Sequence, residues 1–220
     1  MFILIIPLFL LIWIIYRRSK SISTFVSGYA KKEDPYITPK VFENVITAEE
    51  ADYILHKAKN IFGESIILSG SDTNIRKSQT AWLYKDDPMV KEIYDRLALQ
   101  FQFEVDNAEP LQVVKYEPGG FYNDHHDSCC DDNDSCIDFA KTSGQRKLTI
   151  LIYLNDDFQD GETYFPELDL KIKAPKYGAV VFHPLDTNDE LCHPLALHKG
   201  TEVTNGIKYV CNIWVRQKAY

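Results

Sequence analysis

The chain has 220 residues, 45% of them hydrophobic, which is enough for one complete core and too little for several large domains. Its formal net charge of -8 argues against a general nucleic-acid binder, because phosphate recognition needs concentrated Lys and Arg. A charged fraction of 25%, with 10 Gly and 10 Pro, excludes fibrous and wholly disordered material.

The first residues, Met1 to Tyr16, form an uncharged apolar run broken only by Pro7, with Arg17 and Arg18 directly after it. A spanning helix needs about 20 apolar residues, so the run is short for one. Trp13 and Tyr16 sit where interfacial aromatics belong, and the start lacks the basic residues and small-residue cleavage site of a secretory signal. Residues 1–18 are therefore expected to be a membrane anchor or signal-anchor, giving a single-pass protein. A polar stalk is expected over 19–37 and one folded domain over 38–220.

Thr47-Ala-Glu-Glu50 has the form of a capping box, which predicts a helix from there to about Asn60, with Ala51, Ile54, Leu55 and Ala58 on its apolar face. Pro88 suits the first turn of a second helix reaching about Leu99, with Val90, Ile93, Tyr94 and Leu97 on one side. After Glu109 the period changes. Short β-rich runs at 111–116, 148–154, 179–182 and 208–215 are separated by Gly, Pro, Asn and Asp turns. Helices first and strands afterwards predict a mainly β, α+β domain: a jelly roll with helical support on one side. The acidic stretch from Asp124 to Asp138 reads as an irregular surface connection.

The five cysteines are Cys129, Cys130, Cys136, Cys192 and Cys211. The first three suit either a disulfide or a structural metal, although the paired C-x-x-C hooks of zinc sites are missing. Cys211 alternates with apolar neighbours and reads as a buried thiol.

Chemistry concentrates in YNDHHD. His125 and Asp127 are two apart, so on a strand both face the same way and can reach one metal. His198, in LALHKG, is the best third ligand. Two imidazoles and a carboxylate form the facial triad of non-haem iron(II) oxygenases, which leaves positions open for co-substrate and oxygen. Strand alternation turns His126 away from that cluster. Lys208, ten residues after His198 in IKYVCNIWV, is a basic side chain in an otherwise apolar strand, placed to meet the distal carboxylate of a chelating oxo acid.

With these motifs in order, residues 38–216 resemble the catalytic domain of prolyl 4-hydroxylases, the iron(II)- and 2-oxoglutarate-dependent dioxygenases of collagen and their plant, algal and viral relatives. LQVVKYEPGGFYNDHHD is similar to the family's Tyr, Gly-containing turn and Tyr-x-x-His-x-Asp. DGETYFP is similar to its Gly-x-x-Thr-x-Phe-Pro, LHKG to its Leu-His-x-Gly, GIKY to its Gly-x-Lys-Trp, and RKSQTAWL to its Arg-Thr-Ser-x-Gly-Thr stretch. The chain departs from the pattern at His126, where an aromatic is usual, and at Glu202-Val203, where the family has Cys-Pro.

The resemblance implies a double-stranded β-helix core, Fe(II) held by His125, Asp127 and His198, and 2-oxoglutarate anchored by Lys208 with help from Tyr116 and Thr149. It further implies O2 as co-substrate, ascorbate as reductant, and Arg146, Trp214 and Trp82 at the substrate groove. The substrate implied is a proline-rich or collagen-like peptide, covered by loops 69–87 and 124–144. Secretory substrates would require the lumen of the endoplasmic reticulum, whereas Arg17, Arg18 and Lys20 after the apolar run favour the cytosolic side for the domain. Other readings are a dioxygenase acting on lysyl groups, small molecules or nucleic acid, and a non-catalytic jelly-roll module that binds peptides.

Overall fold

The computed structural model describes residues 27–67, 70 and 72–220. Helix α1 (Ala48–Ala58) begins at the expected capping box: the Thr47 hydroxyl accepts from the Glu50 amide, and the Glu50 carboxylate accepts from the Thr47 amide. Helix α2 (Pro88–Phe101) is capped by Asp87, and a left-handed Gln102 ends it. Both helices lie on one face of a large sheet.

That sheet has seven antiparallel strands in the order β1 (Lys40–Phe42), β11 (Ala179–Phe182), β7 (Arg146–Tyr153), β14 (Lys208–Arg216), β5 (Leu111–Tyr116), β4 (Gln79–Leu83) and β2 (Gly63–Glu64). A second sheet runs β10 (Leu170–Ile172), β9 (Thr163–Phe165), β12 (His198–Gly200), β6 (Phe121–His125) and β3 (Arg76–Lys77). A two-stranded ribbon pairs β8 (Phe158–Asp160) with β13 (Val203–Gly206). The molecule is thus a mixed α/β fold with several antiparallel sheets and flanking helices. Among the described residues no sheet closes into a barrel.

Period-two alternation divides the core. Leu148, Ile150 and Ile152 of β7 and Cys211, Ile213 and Val215 of β14 join Ile54, Ile93 and Leu97 of the helices in one apolar layer. The intervening Leu151, Tyr153 and Val210 pack with Val180, Phe182 and Phe165 between the two sheets. The turn from β5 to β6 depends on Gly120, where a Cβ would lie 2.7 Å from the Glu117 carbonyl oxygen. That turn brings β6, carrying the metal-ligand motif, over the inner face.

Two sequence expectations are corrected here. Among the described residues no helix is long and apolar enough to cross a membrane. The single-pass, membrane-anchored localisation and the membrane as partner are therefore not retained, and the segment 1–18 that suggested them lies outside the described residues. Within the expected stalk, residues 28–30 pair with Cys192, and Tyr36 stacks on His193 at 4.5 Å.

The second correction concerns Asp124–Asp138, which is not wholly irregular. It contains the end of β6 and the start of α3 (Asp134–Ala140), capped by Asn133. Its helix is seven residues long and too acidic to show an apolar period. Disulfides fix the region: Cys129 bonds Cys136, Cys130 bonds Cys192, and Cys211 is a free, buried thiol.

Candidate metal centre

The site begins with strand register. On adjacent antiparallel strands, His125 at the end of β6 stands directly opposite His198 at the start of β12, and their ring centroids are 4.2 Å apart. Asp127 follows two residues after His125. Its Oδ1 lies 3.9 Å from His125 Nε2 and its Oδ2 lies 3.9 Å from His198 Nε2. One ligand atom from each of the three residues falls within 4.8 Å of the others.

The backbone selects the tautomers. His125 Nδ1 is 2.8 Å from the Asn123 carbonyl, and His198 Nδ1 is 3.0 Å from the Ala196 carbonyl. Carbonyls only accept, so each Nδ1 carries the proton and each Nε2 keeps its lone pair for a metal. Burial and then the neighbouring His198 hold His125 well below its usual pKa, which keeps it neutral. At Asp127, burial favours the acid form. His198, His125 and Arg146 together with the Thr149 hydroxyl outweigh it and lower the pKa. Two imidazoles that present Nε2 and a carboxylate on one side of a space fit a divalent iron and leave its other positions open.

These groups line a cavity of about 850 Å³ together with Tyr116, Lys208, Arg146, Trp82 and Trp214. Lys208 is 3% exposed, and its ammonium donates to the Gly161 carbonyl at 2.7 Å. Among the described residues no carboxylate lies within ion-pair distance of it. Burial pulls its pKa down to about 7, opposed only by Glu162. A buried cation of this kind can pair with an anion that enters the cavity. Tyr116, opposite Lys208 across β5 and β14, presents its ring 5.3 Å from that ammonium.

Thr149 stands at the metal-binding triad. Its hydroxyl donates to Asp127 Oδ2 at 2.7 Å, so it orients that carboxylate. Arg146 also has a structural task. Its guanidinium pairs with buried Glu109 at 2.6 Å, donates to the Asp127 carbonyl and lies 3.5 Å from the Trp214 ring centroid. Glu109 also holds Arg216 at 2.6 Å. Trp214 is buried, its indole Nε1 has no hydrogen-bond partner among the described residues, and Trp82 is 6.3 Å from it on the same wall. Both loops expected to cover substrate line the cavity, 69–87 with Ile75, Arg76 and Trp82 and 124–144 with Cys129, Asn133 and Phe139.

Several site residues were given no role in the sequence reading. Glu109 is 37 residues from Arg146, and nothing local connects them. Thr163 lines the cavity and shares a hydrogen bond with Tyr153, and its place in DGETYFP was the available signal. Arg76 and Tyr122 meet only because β3 pairs with β6.

A family profile described as the 2OG-Fe(II) oxygenase superfamily matches residues 111–216. A protein of Acanthamoeba polyphaga mimivirus, provisionally named a prolyl 4-hydroxylase, is 47% identical over 193 residues, covering 88% of this chain and 80% of its own. Prolyl 4-hydroxylase 1 of Arabidopsis thaliana is 30% identical over 87% of this chain and 74% of its own. Among solved structures, the viral collagen prolyl hydroxylase of Paramecium Bursaria Chlorella virus-1 aligns with a TM-score of 0.65 at 24% identity. That alignment covers 85% of this chain and 99% of the other.

Proposed function

From the premise that this chain belongs to the 2OG-Fe(II) oxygenase superfamily, in company with the prolyl 4-hydroxylases, we propose that it hydroxylates peptidyl proline at the 4-position in proline-rich or collagen-like protein, using iron(II) and 2-oxoglutarate. The observation that carries this reading is the convergence of His125, Asp127, His198 and Lys208 on one cavity. We take residues 38–220 as the dioxygenase domain, and the two sheets as an opened version of a double-stranded β-helix.

In this reading His125, Asp127 and His198 hold Fe(II) through their Nε2 atoms and carboxylate. When bound, iron and 2-oxoglutarate supply the oxidising chemistry, which uses O2 and releases succinate and CO2; ascorbate is the expected reductant. Lys208 pairs with the C5 carboxylate, and the Tyr116 hydroxyl donates to it. The pairing is strong because both residues are buried, so little water competes. Thr149 fixes the rotamer of Asp127. Arg146 ties the Asp127 backbone to Glu109 while its guanidinium packs on Trp214, so one side chain joins the metal strand to the groove wall. Trp214 and Trp82 supply aromatic walls suited to an extended, proline-rich peptide.

The test is mass spectrometry of proline-rich and Gly-x-Pro peptides incubated with the protein, Fe(II) and 2-oxoglutarate, with succinate measured in parallel. One oxygen atom gained on proline, and lost in His198→Ala, is the expected result. Succinate without a modified peptide would redirect the search to other substrates. No turnover by iron-loaded protein would overturn the reading.

A further inference from the structure

Arg76 is a charged residue in the cavity that the triad and the oxo-acid anchor do not use. It is 6% exposed, and among the described residues no carboxylate lies within ion-pair distance of it. Burying a cation without a counter-charge is costly, so its remaining contacts indicate what keeps it there. Nε donates to the Ser78 hydroxyl at 2.9 Å, and Ser78 donates on to Ser65 at 2.7 Å, which fixes the base of the guanidinium.

Two arms leave that guanidinium. Antiparallel pairing sets Arg76 opposite Tyr122, with its guanidinium carbon 4.6 Å from the Tyr122 ring centroid. Tyr122 in turn stacks on the His125 imidazole, with centroids 3.6 Å apart and planes 18° from parallel. The column cation, phenol, imidazole therefore ends on a metal ligand. The second arm reaches Tyr116. Both side chains line the same cavity, where burial raises the phenol pKa and the nearby charge of Arg76 opposes that rise. Tyr116 stands across from Lys208.

We propose that Arg76 is a positioning residue for both halves of the centre: it holds the His125 ring square to the metal by pressing Tyr122 against it, and it orients the Tyr116 hydroxyl toward the oxo-acid carboxylate. The first arm rests only on the triad. The second rests also on the proposed 2-oxoglutarate site. Planarity matters here, because a guanidinium can lie flat on a ring and still donate at its edge, which an ammonium cannot do.

The experiment uses the full chain and binding rather than turnover. Mn(II) affinity is measured by calorimetry, then 2-oxoglutarate affinity on Mn(II)-loaded protein, for wild type, Arg76→Met, Arg76→Lys, Tyr122→Leu and Tyr122→Phe. Displacing partners that orient a metal-bound histidine weakens metal binding about 10- to 100-fold. Arg76→Met and Tyr122→Leu are expected in that range, with Arg76→Lys restoring little. Tyr122→Phe keeps the ring and is expected to stay within about twofold of wild type, a rescue that follows from the stacking contact. Arg76→Met is also expected to weaken 2-oxoglutarate binding.

Mn(II) affinity unchanged in Arg76→Met and Tyr122→Leu, even with a lowered melting temperature, would overturn the proposal and leave a purely structural role. If Arg76→Met does not fold, the two Tyr122 variants decide the metal arm. Weakened Mn(II) with unchanged 2-oxoglutarate binding would overturn the Tyr116 arm. Wild type that binds Mn(II) and no 2-oxoglutarate would overturn the co-substrate reading and, with it, that arm, while the metal arm is still judged on the Mn(II) data.

Discussion

On β14, Cys211, Ile213 and Val215 enter the aliphatic layer beneath α1 and α2, while Lys208, Val210, Asn212 and Trp214 border the cavity. The same division runs through β7, where Ile150 and Ile152 face the helices, and Thr149 reaches Asp127. The two faces share one backbone ladder and have opposite chemistry. The helical face is dry and apolar and gains from burial. The cavity face holds a lysine without a counter-ion and an indole without a partner among the described residues, and a carboxylate between two imidazoles. Alternation at period two thus lets one set of strands carry stability on one side and costly polar groups on the other. Substitutions should accordingly separate into those that remove chemistry and those that remove stability.

The largest separation is expected at Asp127. Asp127→Ala should abolish turnover and Mn(II) binding while leaving the circular dichroism spectrum unchanged, because it removes a buried charge as well as a ligand. Next comes Lys208→Met, expected to raise the Kd for 2-oxoglutarate by about 100-fold, the worth of a buried charge-assisted pair. Its pH dependence follows from the lowered pKa of Lys208, about 7. In the proposed pairing the co-substrate anion needs the protonated amine. Wild-type affinity is therefore full below about pH 7 and falls about tenfold for each unit above it, until binding to the neutral form takes over. Lys208→Arg should flatten that profile. A wild-type Kd constant from pH 6 to 9 would refute the assignment.

The disulfides join the two regions, since Cys130 is three residues after Asp127 and Cys192 is six before His198. Cys130–Cys192 closes a loop with a sequence separation of 62, for which chain-entropy arguments give about 4 kcal/mol. The Cys129–Cys136 separation of 7 gives about 2.5 kcal/mol. Cys130→Ser with Cys192→Ser should lower the denaturation midpoint more than Cys129→Ser with Cys136→Ser. The first pair should also weaken Mn(II) binding, since it frees two ligand-bearing segments. Equal midpoints for the two double variants would show that loop length does not govern this region.

Legibility in the sequence follows the range of the interaction. The helix at the capping box, the four core strands and the His125–Asp127 pair rest on spacings of two to four residues, and all were readable. Lys208 was readable because a lysine in a nine-residue buried strand is out of place. Cys192 as the partner of Cys130, Glu109 beneath Arg146 and Arg76 opposite Tyr122 depend on contacts between distant segments, where no local pattern records the pairing. Helix α3 was missed for another reason: a capped helix of seven residues held by a disulfide has no need of an apolar face. The Thr149–Asp127 hydrogen bond spans 22 residues of sequence and was likewise unreadable from any local pattern.

The smallest expected effect is the sharpest check on the two-face division. Ile150 is fully buried on the helical face and is the immediate neighbour of Thr149, whose hydroxyl holds the metal carboxylate. Ile150→Val removes one methylene from the dry layer and should cost about 1 kcal/mol of stability. If the ladder insulates one face from the other, the Thr149–Asp127 hydrogen bond keeps its geometry, and Mn(II) affinity and the KM for 2-oxoglutarate stay at wild-type values. Stability from urea titration and KM from succinate release, measured on the same preparation, make the comparison. A KM that moved with stability would mean that the cavity rests on the packing of the helical layer, and that the two faces act as one unit.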